Sequence, residues 1–345
     1  MFSAVVRCNT QTNDNRSVSP VTFDVLSDQG HPQNVSADLT NALDGALEGS
    51  CSCSRERRSQ DSGVARNHRD RLAPISTTPV SAIRAVSRMP GGSQSQLMLG
   101  DDRNLWVVKF KNNPQHLKIL VNELMATRMA ETIGLSVPKS GIVDVSQVLI
   151  EGNPQLSIDH GRGWREICSS GLQFGSRFVG GLMPGQVIDF LPGEQLHSVR
   201  NLEEFSGMLA FDKWTGNTDR RQTVFRRTAR ETQYGAVFVD QGLCFSGSKW
   251  IFQDAPRHGV YAHKSVYSAV TSWSSFEPWL TRIEQFSADV LWEIAGAVPP
   301  EWYWGNTYDL EELVETLLTR RSSVRELISN LRQSNDAPFA NWKNG

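Results

Sequence analysis

The sequence has no apolar run close to the roughly 20 residues that a membrane-spanning helix needs. Its opening residues, MFSAVVRCNTQTND, turn polar too soon for a secretory signal peptide. An excess of either charge is also missing, since 35 Lys and Arg residues face 37 Asp and Glu residues and the formal net charge is -2. This balance gives no electrostatic reason to expect a nucleic-acid partner or an anionic membrane surface. We therefore expect a soluble, cytoplasmic protein.

Cysteine is scarce, with five residues at Cys8, Cys51, Cys53, Cys168 and Cys244. The number is odd. Cys51 and Cys53 are close in sequence, but no second pair of cysteines and no nearby histidines complete a zinc site. This usage favours free thiols in a reducing compartment over a disulfide framework.

The organisation of the chain predicts one two-lobed domain and a tail. Residues 1–75 are rich in Ser, Asn, Asp and Arg and almost lack aromatics, so we expect a disordered tail that buries too little apolar surface to fold. Residues 76–190 carry β-like runs around one helix, and residues 191–345 are mainly helical with a small β element. The order predicts an α+β architecture with a β-rich N-lobe and a mainly helical C-lobe.

The helix of the predicted N-lobe lies in NPQHLKILVNELMATRMAETIGLSVP. Asn113 is suited to cap its start, Pro114 to its first turn, and Gly134 to its end. Glu123 lies in mid-helix beside the apolar stripe. It is either an ordinary solvated glutamate or a partner for a cation on the neighbouring strand.

Lysine is also scarce, because only 8 of the 35 basic residues are lysines. In NLWVVKF, Leu105, Val107 and Lys109 share one strand face. A lysine on an apolar face needs an anionic partner, and a phosphate suits its compact charge. The alternative is a lysine that extends from the strand end into solvent.

Three further features are ambiguous when each is taken alone. The turn PGGSQSQ could cover phosphates with its backbone N–H groups, although glycines are common in hairpins. Asp219 in GNTDRRQ could accept a proton from a hydroxyl, and Asp240 in VFVDQG could bind Mg²⁺. Each aspartate could equally be a turn former. Their order along the chain favours function, because a Gly-rich turn, strand lysine, helix glutamate, Asp turn and Asp-x-Gly strand are the parts of a phosphoryl-transfer site.

With these residues in place, the chain resembles the HipA-like kinases, a branch of the protein-kinase-like fold. The resemblance covers roughly residues 80–255. The segments that carry it are RMPGGSQSQLML, WVVKFKNNPQ, LVNELMATRMAETIGLSVP, VIDFLP, FDKWTGNTDRR and VFVDQGLCF.

The resemblance implies a kinase that uses ATP and Mg²⁺ and acts on a protein Ser or Thr. It implies that Lys109 contacts the nucleotide phosphates, Glu123 holds that lysine, and Asp219 is the catalytic aspartate. Asp240 would be the main magnesium ligand. The residues implied to cover the phosphates are Gly91, Gly92, Ser93 and Gln94. The implied hinge, whose backbone meets adenine, consists of Ile188, Asp189, Phe190 and Leu191.

The sequence departs from the family pattern in the catalytic turn. The family usually has a metal-binding Asn a few residues after the Asp, and here Gln222 could replace it with its side-chain carbonyl. A family histidine is replaced by Arg221, which with Arg220 could add positive charge near the phosphates. The missing Asn motivates a second hypothesis, a non-catalytic nucleotide-binding pseudokinase or interaction module. A lipid or small-molecule acceptor is a third, and no basic lipid-facing helix supports its lipid form.

Overall fold

A computed structural model describes residues 78–181 and 185–342, together with the backbone of three short strands near the start of the chain. These strands are β1 (Val6–Asn9), β2 (Thr22–Leu26) and β3 (Pro32–Val35), and they form an antiparallel sheet. The prediction of a disordered tail over residues 1–75 otherwise lies outside the described residues.

A closed five-stranded barrel forms the first part of the domain. The strands from residue 80 to residue 177 are β4 (Val80–Arg88), β5 (Gln96–Gly100), β6 (Leu105–Lys109), β7 (Ser140–Val145), β8 (Ser157–Asp159), β9 (Arg165–Ile167) and β10 (Gly171–Arg177). The barrel order is β10-β6-β5-β4-β7, in which β4 and β7 pair in parallel over a short length and the antiparallel pairing of β7 with β10 closes the barrel. Strands β8 and β9 make a separate hairpin.

Strand β6 shows how the barrel orients the site. Trp106 and Val108 point into the barrel core, where both are buried. The alternate residues Val107 and Lys109 therefore face outward, towards the rest of the domain. The turn before β6 is the expected hairpin, in which the Arg103 N–H donates to the Gly100 carbonyl at 3.0 Å.

Helix α1 (Ile119–Thr132) starts later than the capping pattern predicts. The Asn113 side chain accepts from the backbone N–H groups of Gln115 and His116, so it caps the turn before the helix instead. The end is as expected, because Gly134 adopts a positive φ of 82°. Every residue from Ile119 to Ala130 is buried, so this helix presents no solvated face and Glu123 must find a partner inside the protein.

The second part of the domain is mainly helical. Its helices and the short helix of the barrel part are α2 (Gln147–Glu151), α3 (Gly193–Leu196), α4 (Glu204–Thr215), α5 (Trp279–Glu284), α6 (Ala288–Gly296), α7 (Thr307–Arg320) and α8 (Val324–Gln333). A small antiparallel sheet has the order β11-β12-β13, with bounds Val187–Ile188, Gln222–Arg226 and Gly235–Val239. Helix α4 is buried from Phe205 to Thr215 and forms the centre of a core shared with α1 and the C-terminal helices.

This arrangement confirms the predicted α+β architecture, with a β-rich part followed by a mainly helical part carrying a small sheet. Within the described ranges, no helix has both the length and the apolarity needed to cross a membrane.

Candidate active site

The centre of the site is a lysine held between two carboxylates. Lys109, the last residue of β6, donates from Nζ to Glu123 Oε1, and its Nζ lies 3.0 Å from Asp240 Oδ1. The Lys109 and Glu123 side chains are 8% and 4% exposed, whereas that of Asp240 is 35% exposed. The partner expected for Lys109 is therefore present inside the protein, and Asp240 forms the open side of the cluster.

The backbone around Asp240 is shaped by the same cluster. The second oxygen of Glu123 accepts from the Gln241 N–H at 3.0 Å, which ties α1 to the end of β13. Asp240 itself has a positive φ of 63°. At Gly242, a Cβ atom would approach Ile119 Cγ2 to 2.9 Å, so the glycine of Asp-x-Gly allows α1 to lie this close.

The electrostatics keep Lys109 and Asp240 charged, whereas burial and the neighbouring charge of Asp240 raise the pKa of Glu123 against the opposing effect of Lys109. Burial by itself would lower the pKa of Lys109, but Asp240 and Glu123 raise it above its ordinary value. Burial would raise the pKa of Asp240, but the charge and hydrogen bond of Lys109 bring it down to about 2. Lys109 is thus a cation and Asp240 an anion over the whole physiological pH range.

A cleft of about 370 Å³ opens beside this cluster. Its walls come from the Gly-rich turn between β4 and β5, the end of β6, the turn after α4, and the ends of β12 and β13. The predicted site residues that line it are Gly91, Gly92, Ser93, Lys109, Glu123, Asp219, Gln222 and Asp240. The fold brings residues more than 140 positions apart in sequence into one cavity.

Asp219 lies in a tightly hydrogen-bonded turn. Helix α4 ends at Gly216, which adopts the left-handed conformation with φ 60°. The buried Asn217 then accepts the Asp219 N–H at 3.1 Å and donates to Asp212 Oδ1 at 3.0 Å. The Asp219 carbonyl accepts the Gly259 N–H at 2.9 Å. The backbone of Asp219 is therefore held from both sides while its carboxylate faces the cleft.

Gln222 lies beside Asp240. It opens β12 in register with Val239 of β13, and its Nε2 is 3.2 Å from Asp240 Oδ2. Although a glutamine side chain is longer than that of the asparagine in the family pattern, the Gln222 amide lies next to the Asp240 carboxylate.

Arg221 does not face the cleft, contrary to the expectation that it adds charge near the phosphates. Its guanidinium, 1% exposed, pairs with both oxygens of the equally buried Asp212. It also donates to the carbonyls of Val239 and Asp240, each at 3.2 Å. A buried guanidinium with these partners supports the strand end that carries Asp240.

Two sets of predicted nucleotide-binding residues lie away from the cleft. Gln94 does not line it, because its side chain turns outward and bonds to the backbone of Asp159. The predicted hinge, Ile188 to Leu191, is also absent from the lining. Ile188 instead pairs with Phe225 in the small sheet.

Another edge of the cleft is formed by Arg177, the last residue of β10, and by Phe178 and Val179, which follow it. Sequence reasoning missed them because β10 lies within the Gly-rich stretch GLQFGSRFVGG, which gives a weak strand pattern. Gln115 is a further lining residue that was missed. It lies in KFKNNPQ, within one of the segments that carry the resemblance to the kinase family, and this was the signal in the sequence.

Lys213, next to Asp212 on α4, supports the segment that holds the backbone of Asp219. Its Nζ donates to the carbonyls of Pro256 and His258 at 2.7 Å each, and to that of Ala255 at 3.3 Å. These residues precede Gly259, whose N–H binds the Asp219 carbonyl. Two adjacent residues of α4 thus support the two aspartates of the cleft. Asp212 supports Asp240 through Arg221, and Lys213 supports Asp219 through the segment before Gly259.

We expect Lys213 to make the unfolding free energy increase with pH in the alkaline range. Burial lowers the pKa of Lys213 from 10.5 to about 8, so the unfolded state binds more protons between these values. Its contribution to stability is therefore largest above pH 10.5 and is lost as pH falls towards 8. Between pH 7.5 and 10, the unfolding free energy of the wild type should rise relative to Lys213→Met by ~2 kcal/mol. Urea unfolding of both proteins measures this difference, and a difference that does not change with pH would contradict it.

Comparisons with solved structures find kinases at low sequence identity. CtkA, a proinflammatory kinase of Helicobacter pylori, is 14% identical over 74% of this chain and 96% of its own, with a TM-score of 0.44. A Golgi casein kinase with Mn and ADP bound is 10% identical over 77% of this chain and 76% of its own, with a TM-score of 0.42. HipA of Shewanella oneidensis MR-1, in complex with HipB and operator DNA, is 13% identical over 76% of this chain and 70% of its own, with a TM-score of 0.42.

No curated protein matches the sequence. A family model does match, the one for HipA-like kinases, and the match runs from residue 82 to residue 334, from β4 to the end of α8. This is well over half of the chain, and it includes the lysine, the glutamate and both aspartates of the cleft. The chain therefore belongs to the HipA-like kinase family and is a phosphotransferase.

Proposed function

We propose that the protein is an ATP- and Mg²⁺-dependent kinase that transfers the γ-phosphoryl group to a Ser or Thr hydroxyl of a protein. The observation that carries this proposal is the hydrogen-bonded cluster of Lys109, Glu123 and Asp240 on the same cleft as Asp219. Each of these groups has a separate task in phosphoryl transfer.

Nucleotide binding is assigned to the barrel side of the cleft. The Lys109 ammonium supplies a fixed positive charge for phosphate oxygens, and Glu123 holds it in place. The backbone N–H groups of Gly91 and Gly92 are suited to cover the phosphates. The adenine edge is assigned to the segment from Arg177 to Val179, which replaces the hinge expected from sequence.

The metal would be held by Asp240 and Gln222. The Asp240 carboxylate, with a pKa of about 2, stays ionised, and the Gln222 amide lies beside it. Carboxylate and amide oxygens are ligands that Mg²⁺ accepts together with phosphate oxygens and water. The Gln222 amide offers one oxygen and one nitrogen, and rotation about its last bond would turn the oxygen to this position. Bound Mg²⁺ would neutralise charge on the transferred phosphoryl group.

Asp219 is assigned to the acceptor. Its carboxylate would take the proton of the acceptor hydroxyl as that oxygen forms a bond to the γ-phosphorus. The bond from the γ-phosphorus to the bridging oxygen then breaks, and ADP leaves with that electron pair. The turn that fixes the Asp219 backbone, through Asn217 and Gly259, would keep the carboxylate in one place during this step.

A second candidate function is a non-catalytic nucleotide-binding module. It is favoured by the Gln that stands where the family has a metal-binding Asn. This candidate requires the same cleft and the same lysine cluster, but no transfer. In that case Gln222→Asn would create activity.

The test is incubation of the purified protein with γ-labelled ATP and Mg²⁺, alone and with a cell extract, beside Asp240→Ala. Asp336→Ala, which changes an exposed aspartate of the C-terminal segment, is the matched control. Label that is transferred by the wild type and the control but not by Asp240→Ala supports the kinase and identifies its acceptor. Absence of transfer, with ATP still raising the melting temperature, supports the binding module. Absence of both would overturn both functions.

A further inference from the structure

The Gly-rich loop, residues 89–95, has one side on the cleft and one side on a neighbouring hairpin. Its base is closed by a hydrogen bond from the Met89 N–H to the Ser95 carbonyl at 2.8 Å. The side formed by Gly91, Gly92 and Ser93 lines the cleft. Gln94 is on the other side; its φ is positive, at 50°, and its side chain meets the hairpin and does not line the cavity.

The side-chain amide of Gln94 pairs with the backbone of Asp159, as a neighbouring strand would. Its Nε2 donates to the Asp159 carbonyl at 2.7 Å, and its Oε1 accepts the Asp159 N–H at 2.8 Å. The same oxygen accepts from the guanidinium of Arg88. Three of the four hydrogen bonds that an amide side chain can make are therefore formed. Such a side chain is held in one orientation.

The hairpin that receives Gln94 is itself fixed to the barrel. It consists of β8, β9 and their connection, and Ile158 on β8 is buried in the barrel core. The Cys168 N–H just after β9 donates to the Leu156 carbonyl just before β8 at 2.9 Å. Asn112, three residues after Lys109, donates to the Ile167 carbonyl at 2.9 Å. The hairpin is thus an anchored support, and Gln94 is the side chain by which the loop is attached to it.

We propose that Gln94 is a positioning residue, which holds the Gly-rich loop over the nucleotide phosphates by pairing with the β8–β9 hairpin. The inference rests on the proposed nucleotide-binding function. It also changes the role expected for Gln94 from sequence, since the side chain acts through Asp159 and does not touch the nucleotide. A loop held in its binding conformation loses less freedom when phosphates bind, and this raises affinity.

The experiment compares ATP, ADP and adenosine binding by calorimetry, in the presence of Mg²⁺, for the wild type and Gln94→Met. Methionine has a similar length and forms neither bond to Asp159. We expect the Kd for ATP and for ADP to rise about tenfold, which corresponds to the loss of a preorganised loop worth about 1.4 kcal/mol. The Kd for adenosine should stay the same, because adenosine has no phosphates for the loop to cover.

Two further variants sharpen the comparison. Gln94→Glu keeps the oxygen that accepts the Asp159 N–H but loses the donor to the Asp159 carbonyl, and it should also weaken ATP binding. Gln147→Met is the matched control, because Gln147 is exposed in the same part of the domain and its side-chain amide donates to the exposed Glu151, away from the Gly-rich loop. This control should leave all three affinities unchanged.

Each result decides the inference. Equal ATP affinity in the wild type and Gln94→Met would overturn it and leave the proposed function intact. An equal loss for ATP and adenosine would also overturn it, because the effect would then be a general loosening of the site. If the wild type binds no nucleotide at all, the proposed function fails and the inference fails with it.

Discussion

Replacing Asp219 with asparagine is expected to lower the rate of phosphoryl transfer by on the order of 10²–10⁴, the contribution of one positioned acid–base group. Asparagine keeps the size of the side chain but cannot accept the hydroxyl proton. Asp219 is not part of the cluster of Lys109, Glu123 and Asp240, so the affinity for ATP should change little. Initial rates with labelled ATP and the acceptor found in extract, together with the Kd for ATP, measure the two effects separately.

Asp336→Asn is the control for this variant, because it makes the same chemical change at an exposed position. Full transfer activity in Asp219→Asn would remove Asp219 from its assigned role. A parallel loss of ATP affinity would also contradict the prediction, since it would show that Asp219 contributes to nucleotide binding and not to the acceptor side alone.

The second large effect is expected on stability, at the buried pair of Asp212 and Arg221. Both side chains are at most 1% exposed, so the guanidinium lies inside the protein and depends on its partner for charge compensation. Asp212→Ala leaves that charge uncompensated and should lower the unfolding free energy by about 3–5 kcal/mol. For a domain of this size, the melting temperature should fall by roughly 10 °C. Chemical and thermal unfolding measure both quantities.

A double-mutant cycle with Arg221→Met distinguishes the pair from a general packing defect. The double variant removes both charges, so its loss of stability should be smaller than the sum of the two single losses. Additive losses would show that the pair is not the source of the effect. Because Arg221 also donates to the Asp240 carbonyl, the single variants should lose transfer activity as well.

The predictable part of the site depended on residues that are unusual where they stand. Lys109 was identifiable because a lysine is rare in this chain and lies on an alternating strand. Glu123 was identifiable because it lies beside an apolar stripe in a helix. The two lie 14 positions apart, so one strand, one loop and one helix suffice to bring them together. The order of the segments carried the rest of the interpretation, including the resemblance to the kinase family.

The parts that could not be predicted depend on contacts between distant elements. The segment at Ile188 has a strand pattern in the sequence, but only the tertiary structure shows that it pairs with Phe225 and does not line the cleft. Gln94 lies in a plausible phosphate-binding turn, but only the hairpin 65 positions away shows where its amide points. Arg221 follows Asp219 closely in sequence, but its burial against Asp212 turns its side chain away from the cleft.

By itself, the sequence determined the α+β class, the two-part order and the set of residue types that phosphoryl transfer requires, because local periodicity and segment order need no knowledge of distant neighbours. Only the tertiary structure decided which side chains face the cleft and which support it. The reason is that a polar side chain takes the direction in which its hydrogen bonds can be satisfied, and for Gln94 and Arg221 those partners come from elements far along the chain.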